Sequence, residues 1–293
     1  MTVRLLDGGM GQEVHRRLGH PDMDWSALAA VDHSDVVRTL HEEFLRAGAE
    51  IITTNTYPLG RWRVNMTGQS AHFAAANEAA CRAAVQARDH VNPAALVAGA
   101  IGPVRASYQP DAIPPAEVVE REVVEQALLL APHVDLFICE TMSTAAEAAA
   151  TARAALSTGR PVWVAFTLDE RERPVLRGGE PIGAAVRVVS ELPVDAILLN
   201  CSMPETVDAG IGELAETAGA VAIGAYANGF ERIPDDIGLG TAVHRLATRD
   251  LSPDAYAMHA ARWIDAGATI VGGCCAVEPR HIAAIARMIG QRR

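Results

Sequence analysis

The sequence predicts a closed (β/α)8 barrel, and three observations carry that expectation. Short β-rich apolar runs alternate with longer stretches of helical periodicity along the whole chain, the pattern of βα units and a parallel sheet. Eight such runs are present, with helical stretches between them and after the last. The length of 293 residues falls in the range of roughly 200–400 residues over which one barrel of this kind is built. An open doubly wound sheet is the rival, but it more often stops at about five to seven strands and carries a phosphate-loop pattern.

In chain order the strands are expected at 3–7 (VRLLD), 50–54 (EIITT), 96–100 (LVAGA), 135–139 (DLFIC), 161–166 (PVWVAF), 195–200 (DAILLN), 220–225 (AVAIGA) and 268–272 (ATIVG). Helices are expected near 33–47, 69–89, 116–130, 143–157, 181–190, 204–218, 253–266 and 279–290. Several open on a capping residue or a proline, as at Ser143-Thr144, Ser252-Pro253 and Glu278-Pro279, where proline fits the first turn without losing a needed donor. Residues 58–68 and 227–252 read as long barrel-mouth loops. No internal repeat or linker interrupts the chain, so one domain over 1–293 is expected.

Composition narrows the function. Lys plus Arg number 25 against 36 Asp plus Glu, a net charge of −11, and an acidic surface repels nucleic acid and anionic lipid headgroups. The opening MTVRLLDGGMG holds no apolar stretch long enough for a signal peptide, and no run reaches the roughly 20 residues of a membrane span. A cytoplasmic protein is expected, and a homo-oligomer is compatible with the sequence. Five cysteines in a chain of this size point to metal binding or catalysis rather than to a disulfide framework.

Three of the cysteines fall where a barrel places its chemistry. Asn200-Cys201 ends the sixth strand, and Gly272-Gly273-Cys274-Cys275 follows the eighth. Both positions open onto the C-terminal face of the strands, so Cys201, Cys274 and Cys275 can converge on one ion. Zinc suits them, since it takes thiolates at about 2.3 Å and its catalytic sites typically keep one position open beside three protein ligands. The two glycines are expected to let the backbone turn sharply, so that consecutive cysteines both face the metal. A vicinal disulfide or redox pair is the competing reading. Cys81, in a helical stretch, and Cys139, whose alternation points it away from the face of Glu140, read as packing residues.

Ordered matches along nearly the whole chain then resemble the homocysteine S-methyltransferase family: LLDGGMGQEV, HEEFLRAGAEIITTNTY, GAIGP, ICETM, LLNCS, YANG and AGATIVGGCCAVEPRHI. The resemblance implies a barrel, a catalytic Zn2+ on the three cysteines and a homocysteine acceptor whose sulfur takes the fourth position. A free thiol of pKa about 8.5 is mostly protonated at neutral pH, and coordination deprotonates it while keeping it nucleophilic.

Asp7 and Glu140 end the first and fourth strands and so reach the same mouth; by resemblance they hold the α-amino group of homocysteine. A helix cap or solvated loop charge is the alternative for each. Gly8 and Gly9 let backbone N–H groups approach the substrate carboxylate. Thr54 and Asn55, closing the second strand, either orient a polar substrate or satisfy backbone groups of the mouth loop. Asn228, in Tyr226-Ala227-Asn228-Gly229, follows the seventh strand near the expected metal. Related sequences tend to carry proline in place of Ala227 and an acidic residue soon after the glycine, where this chain has Phe230. His15 and His20, near a loop, and His259 and His281, in outer helices, read as surface or packing residues. Trp263 reads as packing, and Trp25 as packing or a cover for the substrate.

The resemblance implies methyl transfer to L-homocysteine, giving methionine, from S-methylmethionine or alternatively S-adenosylmethionine. Methylfolate is expected to require further modules. Betaine is expected to go with a C-terminal extension, and this chain ends about a dozen residues past Pro279. Methylation of another thiol or a selenol such as selenocysteine, a noncatalytic zinc barrel, and a redox protein are the other readings.

Overall fold

Two layers of apolar side chains organise the molecule, and strand alternation separates them. In the computed structural model, which describes residues 2–19, 28–171, 174–234 and 246–292, Leu136 and Ile138 of β4 (Leu136–Met142) face an inner cluster with Leu6, Ile51, Ala98, Ala165, Leu198 and Ile270. Their neighbours Phe137 and Cys139 face the opposite way, into the larger layer between sheet and helices. The remaining strands are β1 (Arg4–Leu5), β2 (Ile51–Thr53), β3 (Leu96–Ile101), β5 (Val162–Phe166), β6 (Ala196–Asn200), β7 (Ala222–Tyr226) and β8 (Ile270–Val271). All pair in parallel in the order β1-β8-β7-β6-β5-β4-β3-β2. A parallel bridge between Leu6 and Ile51, with hydrogen bonds from Asp7 N–H to Ile51 O and from Glu50 N–H to Leu5 O, joins β1 to β2 and rounds the sheet into a (β/α)8 barrel.

The helices are α1 (Met10–Leu18), α2 (Ala29–Asp32), α3 (Ser34–Arg46), α4 (Arg61–Met66), α5 (Phe73–Val91), α6 (Ala116–Leu130), α7 (Ala145–Leu156), α8 (Ile182–Val189), α9 (Pro204–Thr217), α10 (Pro253–Asp265) and α11 (Pro279–Arg292). The eight expected helices stand within a few residues of their predicted bounds. Ser252 accepts from Ala255 N–H and Thr144 from Glu147 N–H, so the expected caps form at α10 and α7.

Two expectations change. Residues 58–68 are no simple loop: a 3-10 turn (Tyr57–Leu59) leads into α4, which buries Val64. Helix α1, unforeseen because glycines open it, places Glu13 in its first turn and Arg16 and Arg17 in its last, as the helix dipole favours. It ends at Gly19, whose φ of 65° suits glycine and whose N–H caps His15 O. His15 therefore lies within a helix rather than near a loop.

Trp263 is wholly buried, edge-on to Tyr256, with its indole N–H donating to Asp208. His259 bonds the same carboxylate, and His281 Nε2 lies 2.9 Å from Leu251 O. These are packing roles, as are those of buried Cys81 and Cys139. His20, Trp25 and residues 235–245 of the expected 227–252 loop lie outside the described residues. Among the described residues no helix is long and apolar enough to cross a membrane.

Candidate metal centre and substrate cavity

The three cysteines meet at the C-terminal end of the barrel. Cys201 leaves β6 with φ of 48°, a left-handed conformation uncommon for a residue with a side chain. Its N–H donates to Tyr226 O at 3.2 Å, while Cys274 N–H donates to Ala227 O at 2.9 Å and Gly229 N–H to Cys275 O at 2.8 Å. The β6, β7 and β8 ends are thereby tied together around the sulfurs. Cys201 Sγ lies 2.8 Å from Cys274 Sγ and 3.8 Å from Cys275 Sγ, and the three atoms fall within 4.8 Å of one another. All five cysteines are free thiols.

The glycines before the pair act differently from expectation. The left-handed turn is made at Ala276, φ 60°, and neither Gly272 nor Gly273 has positive φ. A Cβ on Gly273 would stand 2.1 Å from Val277 Cγ1, and one on Gly272 2.5 Å from Leu6 Cβ. The β1 end excludes a side chain at Gly272, and the turn that returns at Val277 excludes one at Gly273.

Electrostatics link the sulfurs. Burial opposes ionisation of Cys201, but hydrogen bonds from Cys274, Cys275 and Tyr108, the last at 3.0 Å, outweigh it and hold this thiol well below its ordinary range. Cys274, donating to Cys201, and Cys275, in sulfur contact with it, are pushed well above theirs. Three buried thiols this close oppose one another's ionisation, and a cation among them is what lets all three ionise. Sulfurs about 2.3 Å from a tetrahedral zinc stand roughly 3.8 Å apart, the separation Cys201 and Cys275 already have, whereas Cys274 Sγ, 2.8 Å from Cys201 Sγ, would have to swing outward. The donor set fits a zinc ion.

Beside this cluster stand two buried carboxyls. Asp7 accepts from Thr53 N–H at 2.8 Å and from the Thr53 hydroxyl at 3.1 Å; burial nevertheless pushes its pKa up to about 8. Glu140 accepts from the Tyr226 hydroxyl at 3.0 Å and is raised to about 8 by burial, then by the charges of Cys201 and Asp7. Glu140 sits inside β4 rather than after it, because that strand runs on past an irregularity where Thr141 takes φ of 65°. Asn200 holds the strained residue: its Oδ1 accepts from Thr141 N–H at 3.0 Å and its Nδ2 donates to the Thr141 hydroxyl at 3.1 Å.

The cavity between these groups spans about 750 Å³ up to its open mouth. Asp7, Gly8, Gly9, Thr54, Asn55, Glu140 and the three cysteines all line it, and Asn228 does not. Asn228 Oδ1 accepts from Phe230 N–H, and Phe230 packs with Tyr108 and Cys201 where relatives were expected to carry an acid. Gly9 N–H is committed to Val277 O at 2.9 Å. A Cβ on Gly8 or Gly9 would strike Val277 O at 2.3 Å or Cys274 O at 2.8 Å, so both glycines let the β1–α1 turn press against the cysteine turn. The Thr54 hydroxyl accepts from Ala100 N–H and bonds Thr56, which donates to Ala100 O, so it serves the backbone. Among the described residues, the site partners that sequence reading missed are Thr53, Asn200, Tyr57, Tyr108 and Tyr226. Alternation was the available signal for Thr53, which shares the inward parity of Ile51; Tyr57 and Tyr226 lay unused in the NTY and YANG strings, and Tyr108 stood in neither.

Comparison with known proteins agrees with this geometry. The homocysteine S-methyltransferase family profile matches residues 4–289. Homocysteine S-methyltransferase of Escherichia coli is 30% identical over 97% of this chain and 94% of its own length. Betaine–homocysteine S-methyltransferase 1 of Mus musculus is 30% identical over 99% of this chain and 73% of its own. The crystal structure of the metallated homocysteine methyltransferase MmuM from Escherichia coli superposes with a TM-score of 0.82 at 25% identity, covering 98% of this chain and 96% of that one. With the barrel, the cysteine cluster and these matches together, the chain belongs to the homocysteine S-methyltransferase family.

Proposed function

We propose that the barrel transfers a methyl group from a sulfonium donor, S-methylmethionine in first place and S-adenosylmethionine in second, to the sulfur of L-homocysteine, giving methionine. The observation that carries this reading is the juxtaposition of Cys201, Cys274 and Cys275 with the buried carboxyls of Asp7 and Glu140 in one cavity. Cys201, Cys274 and Cys275 would hold a zinc ion, which would supply the thiolate, since coordination deprotonates a thiol and keeps it nucleophilic.

The rest of the work falls to the chain. Asp7 and Glu140 accept hydrogen bonds from the α-ammonium of homocysteine, a charge-assisted pairing that also draws both carboxyls to their ionised form. The first amides of α1, unsatisfied within the helix and bordering the cavity, receive the carboxylate. This moves the anion contact from Gly8 and Gly9 toward Met10, Gly11 and Gln12. Among the described residues that line the cavity there is no lysine, arginine or histidine, so none of these repels a cationic donor. As the new C–S bond forms and the old one breaks, thiolate and sulfonium charges cancel; a buried cavity favours that loss of charge more than water does. The leaving thioether is neutral and needs no general acid.

Purified protein, supplied with zinc and homocysteine, tests the reading with S-methylmethionine, S-adenosylmethionine and betaine in parallel. Methionine is expected from the sulfonium donors faster than from betaine. Methionine from betaine alone would overturn the donor assignment, and none from any donor would overturn the acceptor.

A further inference from the structure

Strand β4 delivers two successive side chains to the cavity, which a regular strand cannot do. Leu136 and Ile138 face the barrel interior, Phe137 and Cys139 the outer layer, and Glu140 continues the inward set. Alternation would turn Thr141 outward, yet Thr141 lines the cavity beside Glu140, and Met142 joins the outer layer instead. The cause is a bulge: between the pairs Cys139 with Val164 and Met142 with Phe166, β4 has one residue more than β5. Thr141 takes φ of 65° there, an outlier for a β-branched residue that persists only where its surroundings hold it.

Asn200 supplies that hold. Its side chain is wholly buried, with Oδ1 accepting from Thr141 N–H at 3.0 Å and Nδ2 donating to the Thr141 hydroxyl at 3.1 Å. The contact links β4 to β6, strands that are not neighbours, since β5 stands between them. Asn200 does not line the cavity, and the residue after it is Cys201. One side chain thus ties the residue after Glu140 to the residue before Cys201. In the methyl-transfer reading, these two groups receive the ammonium and the sulfur of the acceptor.

We infer that Asn200 is a positioning residue for acceptor length: by holding the β4 bulge to the β6 end it fixes the span between Glu140 and Cys201, and so favours homocysteine over shorter amino thiols. The inference rests on the methyl-transfer reading of the same cavity. Cysteine, one methylene shorter, does not bridge both sites and gains nothing from a fixed span.

The test compares the zinc-loaded wild type with Asn200→Ala and with Asn200→Ala combined with Thr141→Gly, in which glycine takes positive φ unaided. Calorimetry gives the Kd of homocysteine and of cysteine, and methionine formation gives kcat and the homocysteine KM. The wild type is expected to bind homocysteine roughly 10- to 200-fold tighter than cysteine, the range that one methylene spans. Asn200→Ala is expected to lose about 10-fold of that preference or more, through a weaker homocysteine Kd and a higher KM, with kcat and the cysteine Kd within about twofold. The double variant is expected to recover most of the preference, which a merely space-filling Asn200 would not allow. An unchanged preference in Asn200→Ala, equal weakening of both thiols, loss of bound zinc, or no recovery in the double variant overturns the inference while methyl transfer itself stands. A wild type that neither binds homocysteine nor forms methionine overturns the methyl-transfer reading and the inference together. Thermal melting of each variant separates loss of fold from loss of selectivity, and Asn200→Ser replaces Asn200→Ala if the latter does not fold.

Discussion

Replacing Glu147 by glutamine removes a titrating group from the interior while keeping the oxygen that its neighbours use. Glu147 opens α7, where its Oε2 accepts from Ser143 N–H at 2.8 Å and its own N–H donates to Thr144 Oγ1. The turn it holds follows directly on Glu140 and Thr141. Burial raises its pKa from 4.5 to about 7, against those lowering hydrogen bonds. The folded state therefore binds this proton more tightly than the unfolded chain does, so stability is fullest below pH 4.5 and is lost as pH climbs to 7. At about 1.4 kcal/mol per pH unit the loss amounts to at most about 3 kcal/mol. Glu147→Gln lacks this dependence. Denaturant unfolding of both proteins at pH 5, 6, 7 and 8 reads it directly, and taking the difference between them cancels Asp7 and Glu140, which act with the same sign. The wild type is expected to lose about 2 kcal/mol relative to the variant between pH 5 and 7 and little more by pH 8. Parallel curves would refute the reasoning.

Tyr108→Phe removes the hydroxyl that donates to Cys201 Sγ; a roughly 10- to 100-fold loss of zinc affinity is expected, measured by competition with a chromophoric chelator. Gly273→Ala forces a methyl group against Val277; a loss of about 2 kcal/mol or more in denaturant stability is expected, together with weaker zinc binding, because the displaced turn carries Cys274 and Cys275. Glu140→Gln is expected to raise the KM for homocysteine roughly 10- to 100-fold in the methionine-forming assay, and an unchanged KM would place the ammonium elsewhere.

Much of the barrel was legible because each strand and outer helix repeats a period long enough to be counted. Helices α1, α2 and α4 were not, since they are short or open on glycines and are fixed by what they pack against. Convergence of Cys201 with Cys274 and Cys275 followed from barrel topology alone, and so did the shared mouth of Asp7 and Glu140. The irregularity at Thr141 and its support by Asn200 were hidden, because a positive φ at threonine leaves no mark in composition. Thr53 and Thr54 show how one residue of register decides a role: the inward hydroxyl meets Asp7, and the next serves the backbone at Ala100.

The account turns on the cysteine cluster as a working zinc site. Zinc content and methionine formation from homocysteine and S-methylmethionine, measured on reduced wild type and on Cys201→Ala, test it most directly. About one zinc per chain with activity in the wild type, and loss of both in the variant, is the predicted result. A folded, reduced wild type that binds no zinc, or a Cys201→Ala protein that still forms methionine, would contradict it.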